Sequence, residues 1–135
     1  MPNDSNIHPN VEPSDFAIID RARKILDREE NWDRNCDQYF DPNAKATKFS
    51  LFDALNKASR DATGKYDHRC AANQEVRFLI DEIKGVDAYQ PPPGCGPRHR
   101  LKGFNNDPTT TLNDIWELLS EAKTRLAEKQ QQQQQ

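Results

Sequence analysis

Beyond the turn Asn106-Asp107-Pro108 runs the longest regular apolar stripe of the chain. Leu112, Ile115, Trp116, Leu119, Ala122 and Leu126 recur at steps of three and four. On a helix of 3.6 residues per turn that spacing puts all six on one face. A face of this width has to be covered, so the chain must fold by packing helices against this one. The start of the helix is marked as well. Asp107-Pro108 is a turn signal, because Asp bonds its own backbone and Pro presets φ. Thr111 followed by Asp114 has the form of a capping box with Asp in the Glu position.

Three earlier stretches carry partners for this stripe. Ser14 as N-cap and Asp15 in the first turn open a first helix over about residues 15–30, with Phe16, Ile18, Ile19, Ala22, Ile25 and Leu26 on its inner face. Its bases, Arg21, Arg23, Lys24 and Arg28, fall mostly off that stripe and read as a solvated face. Trp32 follows as a ring that closes the bottom of the core. Asp41-Pro42 has the form of an N-cap with Pro at the first helical position. The stripe of Phe49, Phe52, Leu55, Ala58 and Ala62, widened by Leu51 and Ala54, marks the second helix, with Gly64 as its C′ residue. Asp67 is the expected cap of a third helix, with Tyr66 in the staple position. Ala72, Val76, Leu79, Ile80 and Ile83 form its inner face, and Gly85 ends it.

Between Val86 and Thr110 no periodicity appears, and Pro91-Pro92-Pro93-Gly94-Cys95-Gly96-Pro97 lies in that stretch. So long a connector in a small domain is usually functional or disordered. The expected organisation is a disordered leader over 1–13, an all-α single domain of about four helices over 14–129, and a Gln tail over 130–135.

At 135 residues the chain is long enough for one core and too short for two. Its net charge of −3, from 22 acids and 19 bases, argues against general nucleic-acid binding. No apolar run is long enough to cross a bilayer. The stretch Met1-Pro2-Asn3-Asp4-Ser5-Asn6 lacks the basic and apolar regions of a secretory signal. Cys36, Cys70 and Cys95 are odd in number and show no short metal spacing. These features together favour a reduced, cytoplasmic protein.

The order of motifs resembles a small uncharacterised helical family of bacteria and their phages, known as a domain of unknown function. The residues that carry the resemblance are Trp32 after the first helix, Lys48-Phe49-Ser50-Leu51-Phe52-Asp53-Ala54-Leu55-Asn56-Lys57-Ala58, and Phe104-Asn105-Asn106-Asp107 leading into Thr111-Leu112-Asn113-Asp114-Ile115. The family pairs a Gly-Trp, an Ala-Leu-rich second helix and a Phe-Asn-Asp turn before the last helix. This chain has Asn31 ahead of Trp32 and an extra Asn in the turn. The resemblance covers about residues 16–127 and implies a compact helical fold; it implies no activity.

The main candidate for chemistry is Gly94-Cys95-Gly96-Pro97-Arg98-His99-Arg100-Leu101-Lys102-Gly103. No acid lies between Asp87 and Asp107, and Arg98, Arg100 and Lys102 could approach an anion, with Asn105, Asn106 and Asp107 beside them. A phosphate loop of Walker type is excluded, because no Gly-Lys-Ser/Thr follows the glycines. Cys95 with His99 is a candidate nucleophile pair, although nothing in the sequence supplies the group that would orient His99. His68, Cys70, Cys95 and His99 are the residue types of a zinc site at spacings that match no finger. Cys70 reads equally well as a small packed residue. Asp114, Glu117 and Glu121 step by three and four and are expected to face water or pair with bases.

The leading expectation is a non-enzymatic interaction module that binds a partner protein or an anionic ligand through residues 94–107, without a cofactor. An enzyme with a Cys95/His99 or metal-centred site is the second reading. A homo-oligomeric structural accessory is the third.

Overall fold

The computed structural model describes residues 10–33, 47–84 and 100–133. It is all-α over these residues. Four helices carry the core: α1 (Pro13–Ile25), α2 (Leu51–Thr63), α3 (Ala71–Lys84) and α5 (Leu112–Gln133). A short fifth, α4 (Arg100–Asn106), lies in the stretch expected to be an irregular connector. α1 packs mainly on α2 and α5, while α3 packs on α5 and α4. α1 also meets α3, and the α5 stripe is covered by α3 and α1.

The core follows the stripes. Ile18, Ile19, Ala22 and Leu26 from α1 and its end meet Leu51, Ala54, Leu55 and Ala58 of α2. Ala72, Val76, Leu79 and Ile80 of α3 and Ile115, Leu118, Leu119, Ala122 and Leu126 of α5 complete the interior. Trp32 is buried, as a ring closing the core should be. Trp116 and Phe52, both on expected core faces, are only partly buried. Trp116 sits at the α1–α5 seam, where its indole N–H donates to the Leu26 carbonyl at 2.7 Å and the Arg23 guanidinium lies 4.0 Å from the ring centre. Half-buried indole with a satisfied N–H and a cation on its face is a stable arrangement.

Two helix ends match expectation and the others differ. The Thr111 and Asp114 capping box is formed: the Asp114 N–H donates to Thr111 Oγ1 at 3.1 Å, and the Thr111 N–H donates to Asp114 Oδ2 at 2.9 Å. Gly64 ends α2 in the left-handed region at φ 87°, where a side chain would be strained. The start of α2, however, is Ser50, whose hydroxyl accepts from the Asp53 N–H at 3.1 Å. The Asp41-Pro42 signal falls outside the described residues, and residues 47–50 are not helical. Phe49 instead pairs with the segment around Trp32: its N–H donates to the Asn31 carbonyl at 2.8 Å, and its carbonyl accepts from the Asp33 N–H at 2.9 Å.

α1 begins at Pro13, one residue before the expected cap, and gives way to a 3-10 turn over Glu29–Asn31. Asp15 caps it from inside: one carboxylate oxygen accepts from the Glu12 N–H at 2.7 Å. The other accepts from the Ala72 N–H at 3.0 Å, so the same buried side chain caps α3. Asp67, the expected cap of α3, forms a turn with Arg69 instead. Val11, within the stretch read as a leader, is buried, and its N–H and carbonyl both bond the side chain of Gln133 at 2.9 Å. α5 thus runs through most of the glutamine run.

Candidate functional site

Asn105 is the polar centre of the described structure. It is fully buried at the end of α4. Its Oδ1 accepts from the Trp32 indole N–H at 2.6 Å and from the Leu51 N–H at 3.0 Å. Its Nδ2 donates to the Asp33 carbonyl and to Asn106 Oδ1, both at 2.9 Å. One amide thereby ties the segment after α1, the N-terminus of α2 and α4 together. The Leu51 N–H belongs to the first turn of α2 and has no partner within the helix, so a side-chain acceptor there serves as a cap. Sequence reading had made Asn105 a ligand contact. Both polar atoms of its amide bond inside the fold.

Its neighbours are engaged too. Asp107 Oδ1 accepts from the Thr109 N–H at 2.9 Å and from the Thr109 hydroxyl at 2.8 Å, closing the turn before α5. Leu101 and Phe104 anchor α4 in the core. Arg100 and Lys102 belong to the same short helix, and Arg98, His99 and Cys95 lie outside the described residues. His68 is exposed, and its carbonyl accepts from the Arg77 guanidinium. Cys70 is half-buried with Asn73 Nδ2 at 3.2 Å from its sulfur, and burial pushes its thiol up from the ordinary value. That is the environment of a packed thiol rather than a reactive one. Among the described residues no cluster of three or more His, Cys, Asp or Glu is arranged to hold a metal ion.

What the structure adds is a groove on the other side of α4. It lies between α3, α5 and the turn joining α4 to α5, with a volume of about 630 Å³. Leu79, Phe104 and Leu118 form its floor, and Thr109 and Thr110 line it from the turn. Ile83 stands at its edge with 57% of its surface exposed. This residue continues the inner stripe of α3 and was expected in the core. Val76, Leu79 and Ile80 of α3 are buried, but at Ile83 the inner face is left open to the groove.

The rim is acidic. Among the described residues Glu82, Asp114, Glu117 and Glu121 line it with one base, Arg125. Arg125 bridges the two helices: it pairs with Glu82 of α3, with one bond of 3.0 Å, and with Glu121 of its own helix at 3.2 Å. The bond from Arg125 holds the Glu82 carboxyl below the usual carboxylate range, and Arg125 is itself pushed up by Glu82 and then Glu121. Glu117 accepts from the Asn113 amide at 3.0 Å. Of Asp114, Glu117 and Glu121, expected to face water or pair with bases, Glu121 pairs with a base and Glu117 is exposed, while the half-buried Asp114 accepts from the Thr111 N–H. The expectation missed that they share a groove, because that depends on where α3 lies against α5. The one sequence signal was Ile83, the last apolar residue of a stripe close to the helix end.

An arrangement of this kind can hold a side chain and its flanking charges. It brings no nucleophile and base together among the described residues. Residues 12–125 match the family described as a family of unknown function, DUF6197. No curated protein and no solved structure matches the chain.

Proposed function

The chain belongs to the DUF6197 family of unknown function, and we propose that it acts as a non-enzymatic interaction module whose docking surface is the groove between α3, α5 and the α4–α5 turn. The observation that carries the reading is Ile83, a large apolar side chain 57% exposed at the edge of an apolar floor. Such a residue at a concave, rimmed site is a natural anchor point for a partner's side chain. The interaction reading made from sequence placed the contact on residues 94–107. Phe104 belongs to both surfaces, since it closes the core and lines the groove. The surface is thus moved from the polar residues of that stretch to the groove beside them.

A photo-crosslinking amino acid at position 83 tests this, with position 21 on the exposed face of α1 as the control. Position 83 should give a discrete protein adduct in cells that position 21 does not give, and Glu117→Trp at the exposed rim should suppress it. Identical adducts at both positions, or none at 83 with one at 21, would move the function elsewhere.

A further inference from the structure

We infer that the groove takes a basic segment of another protein, one that presents an apolar side chain flanked by Lys or Arg. The inference rests on the docking reading above and names the chemistry of the occupant. Among the described residues four acids and one base line the groove, a net charge of −3 from four negatives and one positive. The whole chain also carries −3. A surface of that sign repels nucleic acid and acidic peptides and attracts cations over about 8–10 Å at physiological ionic strength.

The positions of the acids sharpen the point. Glu117 and Glu121 are exposed on α5, one turn apart, and Glu82 faces them from α3 through Arg125. Leu118 lies between the two α5 acids in sequence and turns its buried face to the floor. An apolar side chain entering over Ile83 and Leu118 would therefore carry flanking cations to Glu117 on one side and to the Glu82 and Glu121 pair on the other. Arg125 already bonds both of those carboxylates, so it offers no unspent positive charge to an anionic ligand. A free cation alone would lack use for the apolar floor, and a purely apolar segment would leave the rim without a counter-charge.

The test uses three short synthetic peptides of equal length: Lys with Leu, Glu with Leu, and Lys with Ser. Each is titrated into the full-length chain while the methyl resonances of Ile83 and Leu118 are followed by NMR. The Lys/Leu peptide should shift both, bind at least about tenfold more tightly than Lys/Ser, the scale set by burying one large apolar side chain, and bind more tightly than Glu/Leu. Its affinity should fall with added salt, fall about twofold or more in Glu117→Gln, and fall further in Ile83→Ser. Both substitutions lie at exposed positions, and circular dichroism confirms that each variant is folded. Equal or tighter binding of the Glu/Leu peptide overturns the charge assignment and leaves docking intact. Binding of Lys/Ser as tight as Lys/Leu overturns the apolar anchor. Methyl shifts that grow with protein concentration alone make the occupant a second copy and overturn the inference. No methyl shift with any peptide overturns the docking reading itself.

Discussion

Replacing Asn105 with Ala tests the logic of the fold at its most connected point. The substitution removes an acceptor that serves two buried donors, the Trp32 indole N–H and the Leu51 N–H. Each buried donor left without a partner costs about 1–3 kcal/mol. The lost donations to the Asp33 carbonyl and Asn106 Oδ1 cost less, because both of those contacts are only part-buried. The expected total is about 3–5 kcal/mol, a large share of the roughly 5–15 kcal/mol that holds a domain together. With a urea slope of about 2 kcal/mol/M for a small domain, the midpoint should fall by about 2 M. The penalty is specific to the network, and a double-mutant cycle shows it. In a Trp32→Phe background the indole donor is already gone, so Asn105→Ala should cost about 1–3 kcal/mol less than in the parent chain. Asn105→Asp should also destabilise, since it replaces the amide donor with an acceptor oxygen facing two oxygens. A midpoint change equivalent to less than about 0.5 kcal/mol for Asn105→Ala, the size of an ordinary surface effect, would refute the assignment.

Two further outcomes follow from single groups. Asp15→Asn leaves one acceptor oxygen where two N–H groups of different helices now bond, so stability should drop by about 1–2 kcal/mol; amide exchange at Ala72 should quicken, and unchanged exchange there would contradict the shared cap. Burial raises both the Cys70 thiol, ordinarily at 9.0, and the Tyr66 phenol, ordinarily at 10.0. The folded chain therefore keeps protons that the unfolded chain releases, and the contribution is complete below pH 9.0 and is lost as pH rises through the two raised values. Urea midpoints should fall across that alkaline range, and Tyr66→Phe should flatten the upper part; an equally steep fall in that variant would exclude the phenol.

What could be read from sequence, and what could not, divides by the range of the interaction. The α5 stripe, the Thr111–Asp114 box and the Gly64 terminus depend on residues three or four apart, and each formed as expected. The start of α2 was misplaced because Asp41-Pro42 and Ser50-Asp53 are both local start signals. Phe49, which looked like the first apolar position of the helix, is held instead by backbone bonds to Asn31 and Asp33. α4 gave no periodic signal, having only Leu101 and Phe104 as apolar anchors over seven residues. It is held by burial and by Asn105, and helices so short are marginal without tertiary support. The roles of Asn105 and Asp15 were invisible for the same reason. Their partners Trp32 and Ala72 lie 73 and 57 residues away, and a polar side chain at such a position reads as solvent-facing until the chain is folded.

The central claim is that a partner is met at the groove and not at the basic stretch before it. Intermolecular nuclear Overhauser contacts, measured on the chain bound to the protein captured at position 83, address this most directly. The account predicts contacts from the Ile83 and Leu118 methyls to an apolar side chain that has Lys or Arg as neighbours. Contacts confined to residues 94–102, with the Ile83 and Leu118 methyls silent, would contradict it and return the interaction to the basic stretch.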